Sequence, residues 1–428
     1  MDKKSLIKNI TAVLKNNKAS EWIKGALEFD TSSQTLKACD EAINVIHKKI
    51  YLTGFGKCCE EMARGTLAVL DERVEAGFLL SYKDIDINDK IKIYESSHPI
   101  PNEKAFANSL KLVKFAQQLE YNDILICLVS GGGSSFFESP EDGISQEELS
   151  RLYLSMVKSK MPIGEINTVR KIISKVKGGK FLKMIKAKTI TLAISDVIGG
   201  LPSDIASGPT WPCEARKNEA QEILHRYNIE IPPSVSAFLK TPNEAKLCHI
   251  KPEHIFKIIG DNFRFVESFS KNLAGAGLKV INLGPPLVFN AENSAKEFFE
   301  ALVAEKLRSN EKFALVAGGE TPVDAGNKNG SGGRCQHFAL ALKKLLKANS
   351  PVFEKISFAA FATDGVEAFT DAAGAVFDDG DIRNSSIENI EKHLIESDSY
   401  NYFKSTGGLI KTGPTGHNVN DVFAAVIS

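Results

Sequence analysis

At 428 residues the chain is longer than one ordinary hydrophobic core supports, so two α/β-sized domains are expected. Its 53 Lys plus Arg balance 53 Asp plus Glu with no contiguous basic stripe and no aromatic interleaving, which argues against nucleic acid as the main partner. A hydrophobic fraction of 43% is that of an ordinary soluble globular protein, and no run approaches the roughly 20 apolar residues of a membrane span, which argues against a membrane protein.

The opening MDKKSLIKNITAVLKNNKAS carries lysines, but polar residues interrupt its apolar ones every two or three positions. It reads as an amphipathic helix kept on the mature protein rather than as a signal peptide. Helical periodicity dominates residues 3 to 49, and the strand IYLTG (50 to 54) follows. TGFGK (53 to 57) then sets two glycines and Lys57 ahead of a helix from about 57 to 75. The helix dipole disfavours a cation there, so an anionic ligand would explain Lys57; the alternative is a solvated first-turn lysine. KIYES (92 to 96) is the next strand, before HPIPNE (98 to 103). His98 reads either as a base or as a histidine bonded to turn backbone, and the second is the commoner outcome.

ILICLV (124 to 129) empties into Ser130-Gly131-Gly132-Gly133-Ser134-Ser135. Glycines let backbone N–H groups approach an anion and the serines add hydroxyls, so this loop reads as a phosphate or carboxylate cradle or as a plain structural turn. It is neither a GxGxxG fingerprint nor a P-loop. INTVRKIISKVKGGK (166 to 180) follows, a helix expected to stop at Gly178-Gly179 with cations in its last turn. There Lys171 and Lys175 suit a solvated face, and Arg170 suits an inward anion contact. After the strand TITLAIS (189 to 195), Asp196 stands where doubly wound enzymes place a metal-binding or general-base carboxylate, and it outranks Asp204. Ser207-Gly208-Pro209-Thr210 is a second hydroxyl and glycine loop, for a ligand or for structure.

Residues 230 to 254, with Pro232, Pro233, Pro242 and Pro252, read as the interdomain passage. Beyond it lie the strands IFKIIG (255 to 260), KVINL (279 to 283), FALVAGG (313 to 319) and KISFAAFAT (355 to 363). Alternation of strands with amphipathic helices implies mostly parallel sheets covered on both faces. Arg334 follows Gly332-Gly333 at a helix start, much as Lys57 does, and Asp364 follows a strand. Cysteines 39, 58, 59, 127, 213, 248 and 335 form no CxxC pair and are odd in number, so reduced thiols in the cytoplasm are expected. Cys127 reads as core, while Cys58, Cys59 and Cys335 lie beside the motifs.

The ordered series TGFGK, SGGGSS, INTVRKIISKVKGG, SDVIGGLPSDIASGPT, VAGGETPV with GSGGR, TDGVEAFTDAAGA and TGPTGHNVND resembles the glycerate 2-kinase family of the MOFRL type, from about residue 50 to the C-terminus. The resemblance implies an N-terminal Rossmann-like domain over 1–245, doubly wound and mostly parallel, and a C-terminal MOFRL-type α/β domain over 246–428, with the active site in a cleft between them. It implies ATP-dependent phosphorylation of D-glycerate, or a related hydroxy acid, to the 2-phosphate with Mg²⁺, and it puts the family's essential lysine and arginine on Lys57 and Arg334. Asp196 would orient the attacking hydroxyl or hold the metal, whose ligands stay open, as does the oligomeric state. Phosphates are expected at Ser130 to Ser135, Ser207, Gly208 and Thr210, and substrate at Asn167, Arg170, Glu320 and Asp364.

The family pattern is not followed everywhere. Cys335 and His337 stand where relatives usually carry an amide and a carboxylate, Val366-Glu367-Ala368-Phe369 replaces an Asp-Gly-Pro turn, and Gly200 replaces an acidic residue. Each change is expected in a loop facing the cleft. Relatives are often labelled hydroxypyruvate reductases, which the motifs do not support, so a reductase and a catalytically impaired ligand-binding homologue are the alternatives.

Overall fold

The structure is a computed structural model. It describes residues 1–159, 161–242, 254–309, 311–323, 329–349, 353 and 355–428. The chain divides into two compact units, Ala19–Ile259 and a C-terminal unit made of Met1–Lys18 with Gly260–Ser428. The expected boundary at 245/246 left the first helix, Lys3–Asn16, in the N-terminal domain, whereas its contacts lie with the C-terminal unit. Leu6, Ile10, Val13 and Leu14 form its buried stripe at helical spacing. The passage expected over 230 to 254 contains the helix Pro233–Lys240, where a proline at the first position costs no hydrogen bond. Residues 243–253, including Cys248, lie outside the described residues.

In chain order the strands of the first unit are β1 Leu27–Asp30, β2 Thr35–Ala38, β3 Glu41–Asn44, β4 Ile50–Phe55, β5 Val74–Ser81, β6 Ile85–Asp86, β7 Ile91–Glu95, β8 Ile124–Val129, β9 Lys188–Ile194 and β10 Ile255–Gly260. β4 to β10 form a seven-stranded sheet in the order β10-β9-β8-β4-β5-β7-β6. β4 pairs in parallel with both β5 and β8, as β8 does with β9 and β5 with β7, while β6 runs antiparallel to β7. The chain winds outward from β4 through β5 to β7 and then returns to the other side of β4 with β8. That reversal is a topological switch point, where the loops leaving adjacent strands diverge and open a crevice at their carboxyl ends. The two loops there are Gly56-Lys57 after β4 and Ser130–Ser135 after β8. All six residues of β8 are buried, as a central strand covered on both faces requires.

Two expectations fail here. Helix was read through residue 49, yet helices end at Ala26 and β1, β2 and β3 form a small antiparallel sheet. The alternation of Leu27 and Phe29, then Leu36 and Ala38, is a period-two signal, and Asp30 turns the first hairpin by accepting from the Ser32 N–H and hydroxyl. The helix expected from 57 to 75 runs Cys59–Leu70, and β5 begins at Val74.

The C-terminal unit carries β11 Lys279–Asn282, β12 Phe313–Gly319, β13 Ile356–Ala362, β14 Gly374–Asp378, β15 Leu409–Ile410 and β16 Asp421–Ile427, in the order β11-β12-β16-β13-β14-β15. Parallel pairing was expected, but only β11 with β12 is parallel. β16 inserts antiparallel between β12 and β13, with Asp421 level with Gly319 on one side and Ala362 on the other. The carboxyl ends of β12 and β13 and the amino end of β16 thus meet at one sheet edge. Phe298, Phe338, Phe358, Phe377 and Phe423 fill the core between sheet and helices.

Candidate functional site

The first cluster lies at the switch point of the seven-stranded sheet. Lys57 sits in the turn between β4 and the helix Cys59–Leu70, its N–H bonded to the Gly131 carbonyl at 3.0 Å. Ser130 is fully buried and its hydroxyl accepts from the Cys58 N–H at 3.1 Å, so the two loops are tied together. Gly132 takes the left-handed conformation, φ +80°, that disfavours any side chain. A Cβ built on it would lie 2.9 Å from His98 Cδ2 and 3.2 Å from Lys57 Cε, which places both side chains over the bend. A Cβ on Gly131 would meet the carboxylate of Asp196 at 2.2 Å. Lys57, His98 and Asp196, delivered by three different strands, thereby converge on adjacent glycines.

Beneath the loop lies a buried network that the sequence reading did not assemble. Lys177, wholly buried, donates to the Ser134 and Phe137 carbonyls at 2.7 and 2.9 Å and pairs with the equally buried Glu138 at 3.3 Å. Burial pulls the Lys177 ammonium down to about 8, against the pull of Glu138. The Tyr153 hydroxyl donates to Glu138 at 2.6 Å, and the Arg170 guanidinium lies 4.9 Å over the Tyr153 ring. Arg170 is 6% exposed, and its Nε has no hydrogen-bond partner among the described residues. Burial lowers its pKa, with Tyr153 and Glu138 opposing.

Other expected contacts are internal. Ser134 and Ser207 share a hydrogen bond at 2.8 Å, Ser207 donates to Asn167 at 3.0 Å, and Asn167 reaches the Asp204 carbonyl at 3.4 Å. Ser135 donates to the Pro99 carbonyl, and Thr210 is 1% exposed. The hydroxyls therefore brace the two loops against each other, and Ala206, Ser207 and Gly208 run left-handed in succession at φ 53°, 62° and 66°. The helix carrying Arg170 ends at Ile173, not at the glycine pair. Lys171 is not on a solvated face: it is 9% exposed and lies 3.5 Å from Asp204, while Lys175 pairs with Asp142. The backbone-bonded reading of His98 fails too, because among the described residues its ring makes no hydrogen bond and instead stacks on Phe136 at 5.7 Å.

The second cluster forms at the C-terminal unit's sheet edge. Arg334 opens the helix Arg334–Ala348 and grips the buried Asp421 with two bonds, Nε at 2.9 Å and Nη2 at 3.1 Å. Its Nη1 reaches the half-exposed Glu320 at 2.7 Å, and Asn420 donates to Glu320 at 3.1 Å. Burial opposes the guanidinium charge, but Asp421 and Glu320 more than restore it. Burial pushes the Asp421 carboxyl up to about 6 even with Arg334 beside it, with Asp364 among the groups that raise it further. Gly333 has no side chain to cap the helix, and Glu367 does so instead, accepting from the Cys335 and Gln336 N–H groups.

Cys335 and His337 are buried in the first turns of that helix rather than in an open loop, and His337 faces Glu292 at 3.4 Å. Burial raises the Cys59, Cys127 and Cys335 thiols, so these are inert packing groups. Ala368 holds φ 47° and Phe369 is fully exposed. A cavity of about 220 Å³ lined by Asn290, Glu292, Asn293, Pro322, Val323, His337 and Ser397 contains none of the expected site residues. Part of the loop before Arg334, 324–328, lies outside the described residues.

Among the described residues no group of three or more His, Cys, Asp or Glu could hold a metal ion. One carboxylate, Asp196, beside a glycine loop does suit Mg²⁺, which binds through one or two carboxylates and a substrate's phosphates. No helix of the described residues is long and apolar enough to cross a membrane.

The family matches divide the chain near the same place but keep residues 5–18 with the first domain. Residues 5–240 match a family described as a domain of unknown function, DUF4147, and residues 313–421 match the MOFRL family. A glycerate 2-kinase from Pyrococcus horikoshii is 36% identical over 95% of this chain and 95% of its own. An Agrobacterium vitis relative bearing a hydroxypyruvate reductase name is 32% identical over 88% of this chain and 86% of its own. The crystal structure of a glycerate kinase from Thermotoga maritima superposes with a TM-score of 0.85 at 30% identity, covering 99% of this chain and 100% of that one.

Proposed function

Because the chain belongs to the MOFRL-type glycerate 2-kinase family, we propose that it transfers the γ-phosphoryl group of ATP to the 2-hydroxyl of D-glycerate, in the cytoplasm, yielding 2-phosphoglycerate and ADP. The observation that carries this reading is Lys57 against a glycine loop at a switch point, with Arg170 a second cation acting on His98 beside it. Lys57 has no ion pair among the described residues, and Arg170 is buried over an aromatic ring with its Nε unpaired. A buried guanidinium in that condition is costly unless an anion completes it. Phosphoryl transfer asks a protein chiefly for positioning and for cations around the transferring group.

In this reading the backbone of Ser130 to Ser135 and the braced Ser207, Gly208 and Thr210 loop hold the phosphates. Lys57 offsets charge on the transferring group. Arg170, oriented over Tyr153, takes the substrate carboxylate, and Asn167 acts through Ser207. Asp196 is the carboxylate that would hold Mg²⁺, which would supply charge neutralisation at the phosphates. Arg334 serves the same reaction, fixed by Asp421; the edge now facing Glu320 is the one an incoming anion would take, with Asp364 and Asn420 beside it.

The test is ADP release by the purified protein with ATP, Mg²⁺ and D-glycerate, with the phosphate position assigned by NMR. The 2-phosphate is expected; a 3-phosphate product, or no ADP, would end the reading. The reductase name of the Agrobacterium relative favours a second reading. It is checked by NADH oxidation with hydroxypyruvate, and the loop after β8, SGGGSS, lacks the dinucleotide fingerprint it would need.

A further inference from the structure

We propose that His98 is a catalytic residue of this transfer, accepting the proton of the substrate hydroxyl at a ring nitrogen. The inference rests on the kinase reading and adds a residue that neither the motifs nor the family assigned. His98 follows β7 and is half-buried, its ring stacked on Phe136 at 5.7 Å and 18° and edge-on to Tyr82 at 6.5 Å and 80°. Tyr82 and Phe136 meet at 4.9 Å, so two aromatic rings fix the imidazole plane. The ring reaches the bend at Gly132, sharing it with Lys57 Cε. Among the described residues its nitrogens have no hydrogen-bond partner, and the ring is half-buried rather than sealed from solvent, which leaves them for a ligand.

The charges around the ring make this more than a vacancy. Burial, then Lys57, then Arg170 hold His98 down to about 4, so the imidazole is neutral and able to accept a proton at physiological pH. The other ionisable groups near it are Tyr82 and, one residue along the loop, Asp196 against Gly131. Two of the three causes of the depression are cations that a phosphate or carboxylate would offset. Binding of the anionic substrates therefore raises the basicity of His98 when a base is needed.

The step balances. The hydroxyl O–H bond breaks and its proton passes to His98; the oxygen bonds to the γ-phosphorus as the bond from that phosphorus to the ADP oxygen breaks. ADP leaves, and the imidazolium returns its proton to solvent.

The test is His98→Gln, which keeps a polar side chain of similar reach that cannot titrate. Its kcat for D-glycerate phosphorylation is expected to fall about 10²- to 10³-fold, with both KM values within about threefold and the acid limb of the wild-type kcat profile abolished. A kcat within about fivefold of wild type, or an acid limb that persists, overturns the proposal. So does a thermal midpoint that falls in step with activity, which would mark a structural role. A second arm is independent of turnover: NMR titration of the His98 ring in the wild-type protein, alone and with a non-hydrolysable ATP analogue, Mg²⁺ and D-glycerate. A rise of about one pKa unit on saturation supports the proposal, and an unmoved pKa overturns it. If wild type does not phosphorylate D-glycerate, the kinase reading falls by itself and the titration still decides whether His98 responds as a base.

Discussion

Lys57 stands out already in its immediate sequence, since a cation in a turn entering a helix works against the helix dipole. Geometry adds that its side chain lies over Gly132 with no ion pair among the described residues, so its removal breaks no ion pair there. Lys57→Ala is expected to reduce kcat by about 10³-fold while leaving the thermal midpoint in place. Activity within tenfold of wild type would remove Lys57 from the mechanism. His98 was the opposite case. Its sequence, His-Pro-Ile-Pro, speaks for a turn, and nothing in it tells that Phe136 and Arg170, which are remote in the chain, stand beside the ring. Arg334 was legible as a helix-opening cation, but its partner Asp421 was not, because β16 was not recognised as a strand between β12 and β13.

At the scale of an element, the helix Arg334–Ala348 shows how a site can depend on a cap supplied from elsewhere. Glu367 substitutes for the side chain Gly333 lacks, and it does so wholly buried. Burial, with Asp421 adding to it, pushes its carboxyl up to about 8, against the lowering effect of the two N–H groups. A carboxyl whose folded pKa exceeds its unfolded value, about 4.3, lends stability fully present below that value and lost as pH rises through the folded one. Thermal stability should therefore decline between about pH 5 and 8, and Glu367→Gln, which cannot titrate, should flatten that decline. Equal slopes in calorimetric scans of the two proteins would show that Glu367 is ionised throughout.

For the whole molecule, the N-terminal helix matters more than its position suggests. Leu6, Ile10, Val13 and Leu14 are buried in the C-terminal unit, and Lys3 pairs with Asp381 at 2.9 Å. Burying four such side chains is worth on the order of 6–12 kcal/mol as an upper estimate. Deleting residues 1–18 should lower the unfolding transition of the C-terminal unit; an unchanged calorimetric trace would show that the helix contributes nothing there. The sequence by itself determined the local elements with one dominant period: the apolar central strands β4, β8, β9, β12 and β13, the glycine loops, and the cations and carboxylates at strand ends. These depend on neighbours a few residues away, so a linear pattern records them. Tertiary structure alone decided that β4 and β8 lie side by side at a switch point, that β16 runs antiparallel between β12 and β13, that the first helix belongs to the C-terminal unit, and that Lys171 and Lys177 are buried. Strand order and the burial of a charge are set by partners far apart in the chain, whose pairing is selected by packing and desolvation over the whole unit rather than by any local period.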